Sequence, residues 1–156
     1  VLIYMAISTN ERLQMLQDAA KSWLEVRRIL DTLPDSALIR PNTVGAWRGQ
    51  DLLVHLANWD EQAIFVLERI AAGDSPHWPL PPGIDNDEWN EERLAPWRAA
   101  TPAQARRYLV DTHDRLMHLA ETMRAVKPRV VLGATQYHYG EHLDDLRAVA
   151  AAAKIP

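Results

Sequence analysis

The sequence has no cysteine, a single phenylalanine, and no uninterrupted apolar run longer than Val1 to Ile7. Without cysteine there is no disulfide scaffold, no thiolate-ligated zinc or iron–sulfur centre, and no cysteine nucleophile. So short an apolar run falls far below the ~20 residues that a membrane-spanning helix needs, so no membrane partner is expected. A basic excess is missing too. Lys and Arg number 17 against 21 Asp and Glu, a net charge of −4, and no basic cluster forms along the chain. The electrostatic footprint of a nucleic-acid or anionic-membrane binder is therefore absent, and no nucleic-acid partner is expected. Val1-Leu-Ile-Tyr-Met5 has neither a positive stretch before it nor a small-residue cleavage site after it, so it does not read as a signal peptide. Residues 1–8 are read as an N-terminal tail, with Val1 to Tyr4 upstream of a natural start at Met5, and the expected location is cytoplasmic.

What remains is an ordinary globular composition, 47% hydrophobic and 24% charged over 156 residues, which fits one domain over 9–156. Ser8-Thr-Asn-Glu11 has the form of a capping box, and Leu13, Leu16, Ala20, Trp23, Leu24 and Leu30 recur near helical spacing. They predict a first helix from Asn10 to Leu33, stopped by Pro34. Pro34 to Ala46 reads as a loop. Leu52, His55, Leu56, Trp59, Ala63, Val66, Leu67 and Ile70 predict an amphipathic helix from Gly49 to Ala72, with Gly73 as its stop. Asp74 to Gly83 holds four of the ten prolines and reads as a stiff loop. Asp85-Asn-Asp-Glu88 opens a short helix through Trp97. Thr101-Pro-Ala-Gln104 opens a longer one that carries Leu109, Leu116, Leu119 and Met123 inward and ends near Ala125. Arg129-Val-Val-Leu132 is the only β-like run and is too short to start a sheet. Gly133 to Ala153 reads as the last helix, with Tyr139, His142, Leu146 and Val149 on one side. The predicted class is all-α: an antiparallel four-helix bundle with a short extra helix and a proline-rich loop between the second and third long helices.

Without cysteine, the six histidines are the first candidates to carry chemistry. Residues four apart on a helix differ by only ~40° in direction, so His138 and His142 in Tyr137-His-Tyr-Gly-Glu-His142 share a face at the spacing by which two imidazoles chelate one metal. Leu146 and Val149 continue that stripe, which turns both rings inward. His55 lies between Leu52 and Trp59 in the apolar stripe of the second helix. Alone, each has a plainer explanation, since a histidine on an apolar face is usually a core residue bonded to a carbonyl or a Tyr hydroxyl. Three buried imidazoles in one core are most simply reconciled by a shared cation. His113 and His118, five apart, cannot share a site with each other, and His77 in the proline loop reads as a surface residue. Trp23, Trp47 and Trp59 read as packing residues, and Trp78, Trp89 and Trp97 as candidate pocket walls. Among the neighbouring acids Asp60, Glu61, Glu141, Asp144 and Asp145, Glu141 or Asp60 is the candidate for orienting an imidazole or accepting a proton.

Trp47-Arg-Gly-Gln-Asp-Leu-Leu-Val-His55-Leu-Ala-Asn-Trp59 resembles the second-helix signature of the DinB-like (YfiT-like) metalloenzyme superfamily. Ala134-Thr-Gln-Tyr-His138-Tyr-Gly-Glu-His142-Leu resembles the closing pattern of its ClbS/DfsB branch, as does Asp87-Glu-Trp-Asn-Glu-Glu with the helix after Thr101. Ala71 to Pro82 is closer to the maleylpyruvate-isomerase-type relatives. The resemblance implies a four-helix bundle, often a homodimer, with a divalent cation held by one histidine of the second helix and two of the last. By motif these are His55, His138 and His142. Three neutral imidazoles leave a coordination position open, as catalytic sites do. Nickel or zinc suits the ligands first, with manganese or iron as further choices. Such an ion lowers the pKa of bound water toward ~7 or holds a thiolate, and any thiol has to arrive as a low-molecular-weight cosubstrate.

Three functions follow as expectations. One is a metal-dependent hydrolase or thiol transferase acting on a small electrophile. Another is a ClbS/DfsB-like resistance protein that hydrolyses or sequesters a genotoxic electrophile without metal, with Tyr137, Tyr139, Trp47 or Glu141 as wall or acid–base groups. The third is a non-catalytic bundle that binds a ligand or dimerises. The catalytic candidates are Glu141, Tyr137, Tyr139 and Asp60.

Overall fold

In the computed structural model, which describes residues 6–154, Ser8 caps the first helix α1 (Thr9–Leu30) as its spacing to Glu11 predicts. The Glu11 N–H donates to Ser8 Oγ at 3.2 Å and the Ser8 N–H donates to Glu11 Oε2 at 3.1 Å. Val1 to Tyr4 lie outside the described residues. The face that α1 buries differs from the expected one. Met15, Ala19, Val26 and Leu30 point inward, whereas Leu13 and Leu24 are 54% and 53% exposed. Two apolar stripes run along this helix, and the one reached from Leu30 by steps of four and seven residues faces the core.

A short helix α2 (Asp35–Leu38) lies in the segment read as loop, and buries Ala37 and Leu38. Next come α3 (Gly49–Ala71), α4 (Asn86–Leu94) running into a 3₁₀ turn over Ala95–Trp97, and α5 (Pro102–Thr122). The expected β-like run is helical: α6 (Pro128–Leu132) is followed by a π-helical turn over Gly133–Tyr137 and then by α7 (His138–Ala152). Pro128 suits a first helical position, and Val130 and Val131 are buried, so packing overrides their strand preference. Among the described residues there is no strand, only an isolated bridge between Val44 and Trp47. No helix among them is long and apolar enough to cross a membrane.

No glycine follows α1, α5 or α7, so their last carbonyls need other partners. Arginines from elsewhere in the chain supply them. Arg12 of α1 donates to the carbonyls of Ala120, Glu121 and Met123 at the end of α5. Arg106 at the start of α5 donates to those of Leu30 and Leu33 at the end of α1. Arg40 donates to Ala152 of α7 at 2.5 Å. The reciprocal Arg12 and Arg106 contacts set the start of each helix beside the end of the other.

Sequence periodicity predicts one polar face for α3, yet every residue from Gly49 to Asp60 is buried. Its polar side chains serve as ties to the elements around it. Gln50 donates to the Ala100 carbonyl, Asn58 accepts from the Tyr108 hydroxyl, Asp60 from that of Tyr139, and Gln62 donates to the Pro79 carbonyl. The apolar core is divided in two. Leu52, Leu56, Leu109 and Leu146 belong to one half, and Met15, Leu67, Leu116 and Val131 to the other. Asp60 and His113 fall between these halves along α3 and α5, and both groups meet Tyr139, which belongs to the first half.

Candidate metal centre

Three histidines from two helices converge. His55 comes from the buried stretch of α3, and His138 and His142 from the first two turns of α7, so the apolar stripes noted in the sequence aim all three rings at one point. His55 Nε2 lies 3.0 Å from His138 Nε2 and 3.2 Å from His142 Nε2. The rings stand nearly edge to face, their centroids 4.8 to 4.9 Å apart. The set is the one group of metal-ligand type among the described residues.

Proton counting distinguishes this from an ordinary hydrogen-bonded cluster. His142 Nδ1–H donates to Asp145 Oδ2 at 2.8 Å, which leaves its Nε2 as a lone pair. If His138 Nε2–H donates to His55, two lone pairs meet between His55 and His142. If His55 Nε2–H donates instead, the proton of His138 sits on Nδ1, which is buried and has no partner. No arrangement of one proton per neutral ring satisfies every nitrogen. A cation would take all three Nε2 lone pairs: nitrogens ~2.0–2.1 Å from a zinc-sized ion stand roughly 2.9–3.4 Å apart. The distances fit. Burial, reinforced by the neighbouring imidazoles, lowers His55 to about 3 and His138 to about 2, so both are neutral ligands at pH 7.

Directly before His138 comes the π-helical turn, a feature common at functional sites. Gly133 within it faces the Trp78 ring, and a Cβ there would lie 2.8 Å from Trp78 Cζ2. The proline-rich loop thus docks on this turn, and the Gln62 bond to Pro79 holds it at 2.9 Å. A cavity of about 300 Å³ results, walled by Trp59, Trp78, Pro79, Tyr137, His138 and Glu141. On the far side of the cluster the Trp47 ring lies 5.0 Å from His55, and its N–H donates to Glu91.

The four catalytic candidates divide. Tyr137, 65% exposed, and Glu141 line the cavity beside His138. Tyr139 and Asp60 are fully buried in a separate network. The Tyr139 hydroxyl donates to Asp60 Oδ2 at 2.6 Å and accepts from His113 Nδ1 at 3.0 Å, and Trp23 stacks on His113 at 3.9 Å. Burial raises both the Asp60 carboxyl and the Tyr139 phenol well above their ordinary values. Neither makes a hydrogen bond to the three histidines. The acid that orients an imidazole is Asp145, rather than Glu141 or Asp60, and its place three residues after His142 was a readable signal. His113 is the core histidine bonded to a Tyr hydroxyl; His77 and His118 are exposed. Trp78 walls the cavity beside His138, as its loop position suggested.

No family model matches the sequence, and no curated protein does. Solved structures do. An uncharacterised protein from Escherichia coli UTI89 superposes with a TM-score of 0.78 at 14% identity, over 93% of this chain and 95% of its own. The colibactin self-resistance protein ClbS, in complex with double-stranded DNA, superposes with a TM-score of 0.73 at 12% identity, over 88% of this chain and 94% of its own. At these identities the likeness is one of fold, and the chain has a ClbS-like helical fold.

Proposed function

We propose that this protein disarms a small electrophilic compound, by hydrolysis or capture, at the end of the molecule where His55, His138 and His142 meet. The observation that carries the reading is the convergence of three imidazoles, with His138 Nε2 and His142 Nε2 at 3.0 and 3.2 Å from His55 Nε2, beside an aromatic-walled cavity. The fold it shares with a self-resistance protein supports a protective role, which ranks this reading above a general metalloenzyme. In architectural terms the reading is a single DinB-like antiparallel four-helix bundle over 9–156, working as a homodimer in the cytoplasm.

The same three histidines are the residues that would hold a divalent cation, nickel or zinc first and manganese or iron after. When bound, the cation supplies Lewis acidity toward the electrophile or a water molecule. Asp145 holds His142 in the tautomer that offers Nε2, Trp59 and Trp78 flank the electrophile, and Glu141 at the cavity wall handles a proton. With no cysteine in the chain, a thiol used here is a cosubstrate. The partner is a small molecule rather than a nucleic acid. The net charge is −4, and Arg12, Arg40 and Arg106 are engaged at helix ends.

The test is protection of DNA from an alkylating natural product, by protein assayed for first-row metals and then with and without chelator. Protection that falls on chelation and in the His138→Ala, His142→Ala double variant supports the cation-dependent form. If protection survives chelation but not replacement of all three histidines by Gln, the metal-free resistance form holds. Protection untouched by that triple replacement refutes the reading and leaves a ligand-binding or dimerising bundle.

A further inference from the structure

A second cleft lies on the other side of Trp59 from the histidines. Its two adjoining lobes, of about 310 and 410 Å³, share Asn58 of α3, Trp89 and Arg93 of α4, and Tyr108 of α5. Volumes of this order match the ~300–1,000 Å³ of small-molecule sites. The Trp59 ring separates the two regions, at 4.6 Å from Trp89 and 5.7 Å from His138. None of the three histidines lines the cleft.

Its floor is polar, buried and incompletely paired. Asn58 is 6% exposed, and its Oδ1 accepts the Tyr108 hydroxyl at 3.0 Å. Asn58 lines both lobes, and its Nδ2 has no protein partner among the described residues. Burial pushes the Tyr108 phenol up to about 12, so it stays a donor and keeps the amide in this orientation. Gln62 is 9% exposed; its Nε2 is bonded to Pro79, and its Oε1 has no protein partner among the described residues. Neither Asn58 Nδ2 nor Gln62 Oε1 is among the fully buried unpaired atoms, so both are open on the cleft side, where a ligand can meet them.

Charge and shape narrow the occupant. The Arg93 guanidinium reaches over the Trp89 ring at 5.3 Å with no carboxylate within salt-bridge distance among the described residues. Glu61 is held by Arg115 at 2.5 Å, so it does not neutralise Arg93. Glu92 lines only the 410 Å³ lobe, and its charge disfavours a ligand of high negative charge. Trp89, 9% exposed and packed on Trp59, and Tyr108, stacked on Trp97 at 4.0 Å, give the cleft a fixed aromatic lining, and Phe65, 52% exposed, extends the apolar wall. Two free donors, Arg93 and Asn58 Nδ2, beside aromatic faces suit a carboxylate on a flat ring.

We propose that the cleft between α3, α4 and α5 is a binding site for a small aromatic carboxylate, separate from the histidine centre. The carboxylate takes the Arg93 and Asn58 donors, the ring lies against Trp89 and Tyr108, and Gln62 Oε1 accepts from an N–H or O–H substituent.

Calorimetric titration of the full chain with benzoate, benzamide and benzylammonium at matched ionic strength tests this. Benzoate is expected to bind at least tenfold tighter than the other two, and Arg93→Gln to weaken it at least tenfold, about 1.4 kcal/mol. Asn58→Asp keeps the Tyr108 bond while placing a negative charge opposite the carboxylate, and should abolish benzoate binding. The His138→Ala, His142→Ala variant should bind benzoate like wild type. Absence of benzoate binding at millimolar concentration, equal binding of benzamide, indifference to Arg93→Gln, or loss in the histidine variant would each overturn the assignment.

Discussion

A single buried imidazole shows how a residue's surroundings set both its role and its cost. His113 is 3% exposed, bonded to Tyr139 and stacked on Trp23. Burial, with the Arg27 charge adding to it, lowers it from 6.5 to about 4. Below pH 6.5 the unfolded chain gains a proton at this position that the folded chain refuses, so the stability is complete above 6.5 and is lost as pH falls toward 4. At about 1.4 kcal/mol per pH unit the loss by pH 5 is of order 2 kcal/mol. Urea denaturation with chelator present should therefore show a smaller drop in stability between pH 7 and pH 5 for His113→Gln than for wild type. Equal drops would mean that His113 is not the group refused. The sequence marks His113 only as a histidine outside any chelating pair. Its partners lie on α1 and α7, and a contact between Trp23, His113 and Tyr139 leaves no local spacing to read. The pair His138 and His142 was legible because four residues on one helix is a local relation.

Among the elements, the last helix departs most from its sequence reading. Arg129-Val-Val-Leu132 looks like a strand fragment, yet Val130 and Val131 are core residues of α6, which starts at Pro128 and leads through the π-helical turn into α7. Periodicity located α7 because its inward stripe, Tyr139, Leu146 and Val149, follows the 3.6-residue repeat. It could not locate the π-helical turn, which depends on what packs against it. Gly133 is the mark of that packing, since Trp78 occupies the space of its missing side chain. Gly133→Ala should force the indole away, at a cost of about 1–3 kcal/mol as for other overpacked sites. Thermal unfolding would register the loss, and near-ultraviolet circular dichroism the change around Trp78. An unaltered aromatic spectrum with unchanged stability would show that the proline-rich loop does not rest on this contact. The stripes of α1 teach the same lesson in reverse: Leu13 and Leu24 fit a helical repeat as well as Met15 and Val26 do, and only packing chooses between them.

Over the whole molecule, the all-helical class and the order of the long helices were legible, because capping boxes and apolar stripes are local signals. The central position of α3 was not. Its polar residues look like a solvent face until their partners on four other segments are known. That central position bears on the candidate cation site, whose ligands stand 83 and 87 residues apart in sequence and join α3 to α7. An unfolded chain does not hold them together, so a cation binding there binds the folded state preferentially and stabilises it by mass action. At a free concentration a hundredfold above its dissociation constant the gain is ~2.7 kcal/mol, or roughly 5–10 °C in unfolding midpoint for a chain of this size. Nickel or zinc added to chelator-stripped protein should therefore raise the midpoint by that amount. The His138→Ala, His142→Ala variant should show no rise. Asp145→Asn, which removes the carboxylate orienting His142, should need ~10–100-fold more metal for the same rise. A midpoint that ignores added metal in the wild type would remove the cation from the three histidines and leave them as a metal-free cluster beside the cavity.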